Sequence, residues 1–398
     1  MKHLGVVFLI NIFYAINTFA ATDLVLWHSY RGAEKDALEK NIASFNQSHS
    51  NINVQTLQVP HDAYPDKISA AIPRGKGPDI FIFAQDRIGD WAVNDVIQPV
   101  GFWITDDIRK RFLPITLKSL EYNGEIYGLP TAFKCTALFY NKKFIKEPPV
   151  NTDDFISLAK ANTQIENKQF GLVYENGLTY YNALWFYGFG GGFFDEQRNP
   201  VIDRPENIEA LIFIRDLHRK HHILPEEISN SLVTTLFNDN KAAMVISGPW
   251  FRAEIAKDID YGIATLPVIS KNNQPSKPFL TVEAFMMSSK TEHPLESFEV
   301  INALTQAPYT TVMAIEGKQP AANADTYNET EVKSDPWLEI FKQQLDNSVP
   351  MPNFPEMRMI WTPMDIAISK VLNKNADPSA ALKEAQQKIQ ENIQIFRK

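Results

Sequence analysis

A single cysteine, Cys135, is all that 398 residues contain, so no intramolecular disulfide can form. A chain of this length does not need one, because folding buries most of the surface its unfolded form exposes. With Lys134 its only activating neighbour, Cys135 reads as structural rather than nucleophilic. Excess positive charge is also missing. With 39 basic against 47 acidic residues the net charge is −8, which argues against a nucleic-acid partner, since phosphate binding wants clustered Lys and Arg. Long apolar runs are absent too. The longest, Leu4 to Ile16, spans about 13 residues where a bilayer-crossing helix needs about 20.

That short run has a different meaning. Lys2 gives a positive start, and Thr18-Phe19-Ala20 puts small residues where a signal peptidase reads them. Residues 1–20 are therefore expected to be a cleavable leader, and no cysteine follows the cut to take a lipid anchor. Release into the periplasm is the expectation. The mature chain would hold 38 basic and 47 acidic side chains, a net of −9. Its length suggests about two domains.

Periodicity supplies the organisation. Asp23–Trp27, Ile52–Leu57 and Asp79–Phe83 read as strands, separated by helices over Gly32–Phe45 and Asp62–Ile72. A β-α-β-α-β order implies a parallel sheet covered by helices, with ligands beyond the carboxyl ends of the strands. Asn123-Gly124 signals a hairpin. A second set of elements follows. Helices are expected near 153–162, 180–187, 206–221 and 232–238, with strands near 170–174, 242–247 and 261–266. Lys271–Pro278 reads as a loop, Ala284–Ser288 as a strand and Pro294–Leu304 as a helix. The tail from Pro336 reads as three helices, the last capped by Asp377-Pro378.

Most catalytic signatures are missing. No phosphate loop, H-E-x-x-H or G-x-S-x-G occurs, and Gly188-Phe-Gly190-Gly191-Gly192 breaks the dinucleotide pattern at Phe193. That segment reads as a tight turn. His218, His221 and His222 share a helix end, where histidine suits the helix dipole better than it argues for metal. The pairs Asp106/Asp107, Asp153/Asp154 and Glu226/Glu227 are adjacent in sequence. Glycosidase carboxyls must instead face each other across a sugar, so Asp153 and Glu226 read as helix-start residues. Neither a metal nor a cofactor is expected.

Other residues suit hydroxyl recognition. Phe83-Ala-Gln-Asp86-Arg87 ends a strand at the functional edge of a sheet. A carboxylate and a guanidinium each grip two hydroxyls, while aromatic faces cover the apolar face of a pyranose. Trp250 follows another strand, Tyr180 opens a helix, and Met351 leads to Trp361. The competing reading makes Asp86 a helix cap and the rings core.

Gly77-Pro-Asp-Ile80, Ala84-Gln-Asp-Arg87, Tyr140-Asn-Lys142, Gly248-Pro-Trp250, Gln274–Phe279 and Met351-Pro-Asn-Phe-Pro355 together resemble the bacterial maltose/maltodextrin-binding proteins. These are extracellular solute-binding proteins of ABC transporters, and the matches run in order from Leu24 to about Lys388. The resemblance implies an α/β periplasmic binding protein fold. It has two lobes, each with a central β-sheet flanked by helices, and a ligand cleft between them. The lobes are expected at 21–132 plus 285–330 and at 133–284 plus 331–398. The resemblance also implies a monomer without catalytic activity that hands a carbohydrate to permease subunits. Asp86 and Arg87 match residues that bind sugar hydroxyls, Tyr180, Trp250 and Trp361 match the aromatic platform, Phe83 replaces a Trp, and Met351 matches a cleft position. Arg31-Gly32 stands where the family has an Asp-Lys pair, and Lys134 and Leu178 stand where it has Glu. Asp365 stands where it has Arg. Arg31 and Lys134 therefore either draw an acidic or phosphorylated solute, or turn to solvent or to an acid such as Asp365. A glycoside-acting enzyme using Asp86 and a distant carboxylate is the catalytic alternative.

Overall fold

Strand and helix alternate from the first described residues. The computed structural model describes residues 21–226 and 228–397; the expected leader and Glu227 of the Glu226/Glu227 pair lie outside the described residues. Thr22–His28 pairs in parallel with Ile52–Gln58 on one side and with Ile80–Ala84 on the other. Helix Gly32–Ser48 and the helical stretch His61–Arg74 make the crossovers, as parallel pairing demands. Phe279–Ser288 runs antiparallel between Ile80–Ala84 and Leu129–Lys134 and also pairs with the short strands Ile97–Gln98 and Val349–Pro350, making seven strands.

A second sheet of four strands has the order Tyr261–Ala264, Ala137–Asn141, Ala242–Ser247, Phe170–Val173. Helices Thr152–Ala161, Thr179–Gly188, Pro205–Arg219, Trp361–Lys374 and Pro378–Phe396 belong to this half of the molecule. Buried side chains form two clusters. One includes Leu24, Phe81 and Met286; the other includes Leu172, Trp185, Ile368 and Leu382. Trp250 packs against both. The chain passes between the sheets at Cys135-Thr136, both buried. Burial pushes the Cys135 thiol up, away from reactivity.

Local signals explain many boundaries. Asn123 and Gly124 have φ of 51° and 84° and turn the hairpin Glu121–Tyr122 to Glu125–Ile126, the conformation that favours Asn-Gly. Asp377 accepts from the Ala380 amide at 2.9 Å, capping the last helix. The Gly188–Gly192 turn is pinned by buried Asn207, which bonds both the amide and the carbonyl of Gly192.

Three expectations need correction. Glu226 does not start a helix; the helix begins at Asn230, where the Ser229 hydroxyl accepts from the Leu232 amide. The segment 271–278 is not wholly loop, because Gln274–Pro275 pairs with Val268–Ile269. Phe279–Ser288 starts five residues earlier than expected, since polar Thr281 and Glu283 occupy alternate positions in an otherwise apolar strand. By hydrogen bonding this strand and Leu129–Lys134 both lie in the large sheet.

Candidate functional site

The strand Phe279–Ser288 organises the site. Alternate residues share a face, so Phe279, Thr281 and Glu283 line up along one side, with Thr281 and Glu283 half-buried among buried neighbours. Phe279 is 1% exposed. Its ring centre lies 6.3 Å from that of Tyr180 and 6.0 Å from that of Trp361. Tyr180 lies 6.3 Å from Trp250. Half-buried Tyr180 and Trp361 thus share a fully buried support, and half-buried Trp250 joins them through Tyr180, all within the 4.5–7 Å range of favourable aromatic pairs. The Tyr180 hydroxyl lies beside Thr281.

Asp365 helps hold this arrangement. Its Oδ1 accepts from the Thr179 amide at 2.7 Å and from the Thr179 hydroxyl at 2.6 Å. Leu178, at the N-cap of helix Thr179–Gly188, has no acceptor to offer, so a carboxylate from another helix satisfies the helix start. Asp365 lies one turn after Trp361, and so ties the helix of one platform ring to the helix of another.

Asp86 and Arg87 form the last part of a single helical turn after Ile80–Ala84. Gln85 anchors that turn. Fully buried, it accepts from the Val282 amide at 2.6 Å and donates to the carbonyls of Leu280 and Met351 at 3.1 and 3.3 Å. Asp86 occupies neither N-cap position, since Ala84 precedes the turn and Arg87 the helix that follows, and its carboxylate accepts from its own backbone amide. Its carboxylate is 3.8 Å from Arg87 and its side chain 29% exposed. Burial pushes the Asp86 carboxyl up to about 6, with Arg87 pulling it back. Arg87 also approaches Asp90, which is bonded to Arg358 at 2.7 Å.

An acid whose folded pKa lies above its ordinary value binds protons more readily folded than unfolded. Its ionisation therefore costs stability, and that cost grows as pH rises from about 4 to 6. Asp86→Asn is expected to stabilise the fold by about 1 kcal/mol at pH 7, after allowing for partial solvent access, and by nothing at pH 4. Melting curves at both values check it. A helix cap would give the reverse sign.

The remaining candidates separate. Phe83 is half-buried but belongs to another aromatic group, with Tyr64 at 5.7 Å and Trp91 at 5.2 Å. Met351 is 7% exposed and donates its amide to Leu280 at 2.9 Å, so it underlies the site more than it lines it. Arg31 is exposed at the start of helix Gly32–Ser48. Lys134 is paired: its Nζ lies 2.6 Å from Glu283 Oε1. The other Glu283 oxygen accepts from the Tyr30 hydroxyl at 2.9 Å. The partner suggested for a basic residue, Asp365, is engaged instead with Thr179. Glu283, Gln85 and Phe279 were the residues that sequence reasoning left out of the site. The polar alternation Thr281/Glu283 was the signal available for the first. A cavity of about 870 Å³ runs along helix Trp361–Lys374, lined in part by Leu178, His218, Thr362, Asp365 and Ile366, and is separate from the aromatic floor.

Two α/β halves joined by chain crossings, with half-buried rings and partly exposed polar groups where they meet, define a two-lobed binding protein for a small solute. The chain belongs to the family described as bacterial extracellular solute-binding protein, whose pattern its residues 31–311 match. It is 28% identical over 379 residues to a maltotriose-binding protein of Pyrococcus abyssi, covering 93% of this chain and 82% of that one. A galactooligosaccharide-binding protein of Bacillus subtilis is 26% identical over 378 residues, covering 92% and 88%. The structure of a cyclo/maltodextrin-binding protein complexed with maltotetraose superimposes with a TM-score of 0.87 at 26% identity, covering 95% and 99%.

Proposed function

We propose that this chain is the substrate-binding subunit of a carbohydrate ABC transporter, taking a neutral oligosaccharide between its lobes and delivering it to permease subunits. The observation that carries this reading is the aromatic floor. Tyr180, Trp250 and Trp361 keep partly open faces, with Tyr180 and Trp361 resting on the buried ring of Phe279 and Trp250 beside Tyr180. Such faces suit the C–H side of a pyranose. Asp86 and Arg87, both partly exposed, suit its hydroxyls. The relatives that bind maltotriose and galactooligosaccharides support the ligand class. Periplasmic placement, a monomeric state and the absence of catalysis belong to the same proposal. So does a lobe division at residues 135–136 and just before Phe279, where the chain leaves one sheet for the other.

The charge arrangement favours a neutral ligand over an acidic one. Arg31 is exposed, and the Lys134 ammonium is matched by Glu283. Calorimetric titration with maltotriose and galactotriose tests the reading directly; no heat from either at millimolar concentration would sink it. Labelled oligosaccharide recovered intact after incubation separates binder from glycosidase. A ligand that binds the closed arrangement better must shift the lobes toward it. Small-angle scattering is therefore expected to give a smaller radius of gyration at saturation, and an unchanged radius would count against closure.

A further inference from the structure

The pairing of Lys134 has a consequence for what the site accepts. Lys134 and Glu283 keep 23% and 15% of their side-chain surface exposed, so solvent screens their attraction only weakly. Glu283 is held from its other side by Tyr30 at 2.9 Å and more loosely by Gln319 at 3.4 Å. The same Gln319 amide donates to Glu34 at 3.0 Å, bringing a second carboxylate to the cluster. Burial works against the Lys134 ammonium, but Glu283 and Glu34 outweigh it and hold its pKa above the ordinary lysine value. Burial pushes the Glu34 carboxyl up, against the pull of Lys134. The charged groups that meet here are thus Glu34 and exposed Arg31 from the first helix, Lys134 and Glu283. An incoming anion finds no net positive field. An ammonium has three donors, and only one of those on Lys134 is committed to Glu283, so a hydroxyl can still be bound.

We propose that Glu283 is a specificity-determining residue of the ligand site, fixing and neutralising Lys134 so that neutral hydroxylated ligands are accepted and anionic sugars refused. The proposal rests on the carbohydrate reading above and assigns its selectivity to one ion pair. Discrimination of this kind is a difference between two affinities, and an uncompensated charge on either side can reverse it.

The test compares maltotriose with its C6-oxidised uronic acid counterpart, titrated into wild type, Glu283→Gln and Lys134→Met. Wild type is expected to prefer maltotriose by about tenfold or more. Glu283→Gln leaves the ammonium unmatched and is expected to move the preference toward the anion by about 10–100-fold, an effect that shrinks as salt is raised. Lys134→Met leaves the carboxylate alone and is expected to move the preference the opposite way, which keeps the test decisive if Glu283→Gln folds poorly. Wild type that binds maltotriose while both variants keep its discrimination, or shift it in the same direction, overturns this assignment and leaves the carbohydrate reading intact. Wild type that binds neither probe overturns both.

Discussion

Trp361→Ala is expected to weaken maltotriose binding about 30-fold or more while the protein stays folded. The ring is half-buried at the start of its helix, and Phe279 sits edge-on behind it at 6.0 Å. A large ring on a packed support is the arrangement in which single residues dominate binding, at about 2 kcal/mol or more each, and each 1.4 kcal/mol is tenfold in affinity. The fold should survive because the ring only borders the core and its open face adds nothing to it. Trp185 supplies the contrast. Fully buried against Phe155 and Phe213, it should cost about 3–5 kcal/mol when cut to alanine. Calorimetry and melting on the two variants separate the roles: affinity lost without stability for Trp361, stability lost first for Trp185. Unchanged affinity in Trp361→Ala would make the ring a wall of the lobe and remove it from the ligand floor.

Periodicity made the first sheet legible, because a parallel β-α-β unit repeats its apolar pattern plainly and closes over nearby residues. Asp377-Pro378 and Asn123-Gly124 were legible for the same reason, since caps and turns act within a few positions. The strand Phe279–Ser288 was not. Pro275 and Pro278 precede it, and Thr281 and Glu283 interrupt its apolar run, so the site-facing half looked like loop. With that half went Glu283, and with Glu283 the partner of Lys134, 149 residues away in the chain. An isolated lysine in a sequence reads as positive charge; only the fold shows whether a carboxylate already answers it. Asp365 illustrates the converse. As a lone acid it looked available to a basic residue, whereas both of its close contacts go to Thr179. The rings of the aromatic floor were picked out by their places near strand and helix ends, and only the resemblance joined them into one platform. Tyr180, Trp250 and Trp361 lie far apart in sequence, and the buried ring of Phe279 that links Tyr180 with Trp361 had no local signature.

Gly171→Ala is expected to destabilise the protein by about 3 kcal/mol or more, at the upper end of what overpacking costs. Gly171 lies in the strand Phe170–Val173, against the end of helix Thr152–Ala161. A Cβ there would stand 1.9 Å from the Ala159 carbonyl oxygen and 2.4 Å from its carbon. These are backbone atoms, so no side-chain rotation relieves the clash. The Gly171 amide also accepts no easy shift, because it donates to the Thr163 hydroxyl at 2.9 Å. Helix and edge strand must move apart, and helix Thr179–Gly188 with Tyr180 follows that strand closely. Ligand affinity should therefore fall together with stability. Gly177 is the control: a Cβ there meets nothing within 4 Å, and Gly177→Ala should stay within about 0.5 kcal/mol of the parent, as open surface positions do. Urea unfolding of the two variants checks the pair. Equal midpoints would mean that the helix is free to shift on its strand, and that the contact between Ala159 and Gly171 does not fix the distance between them.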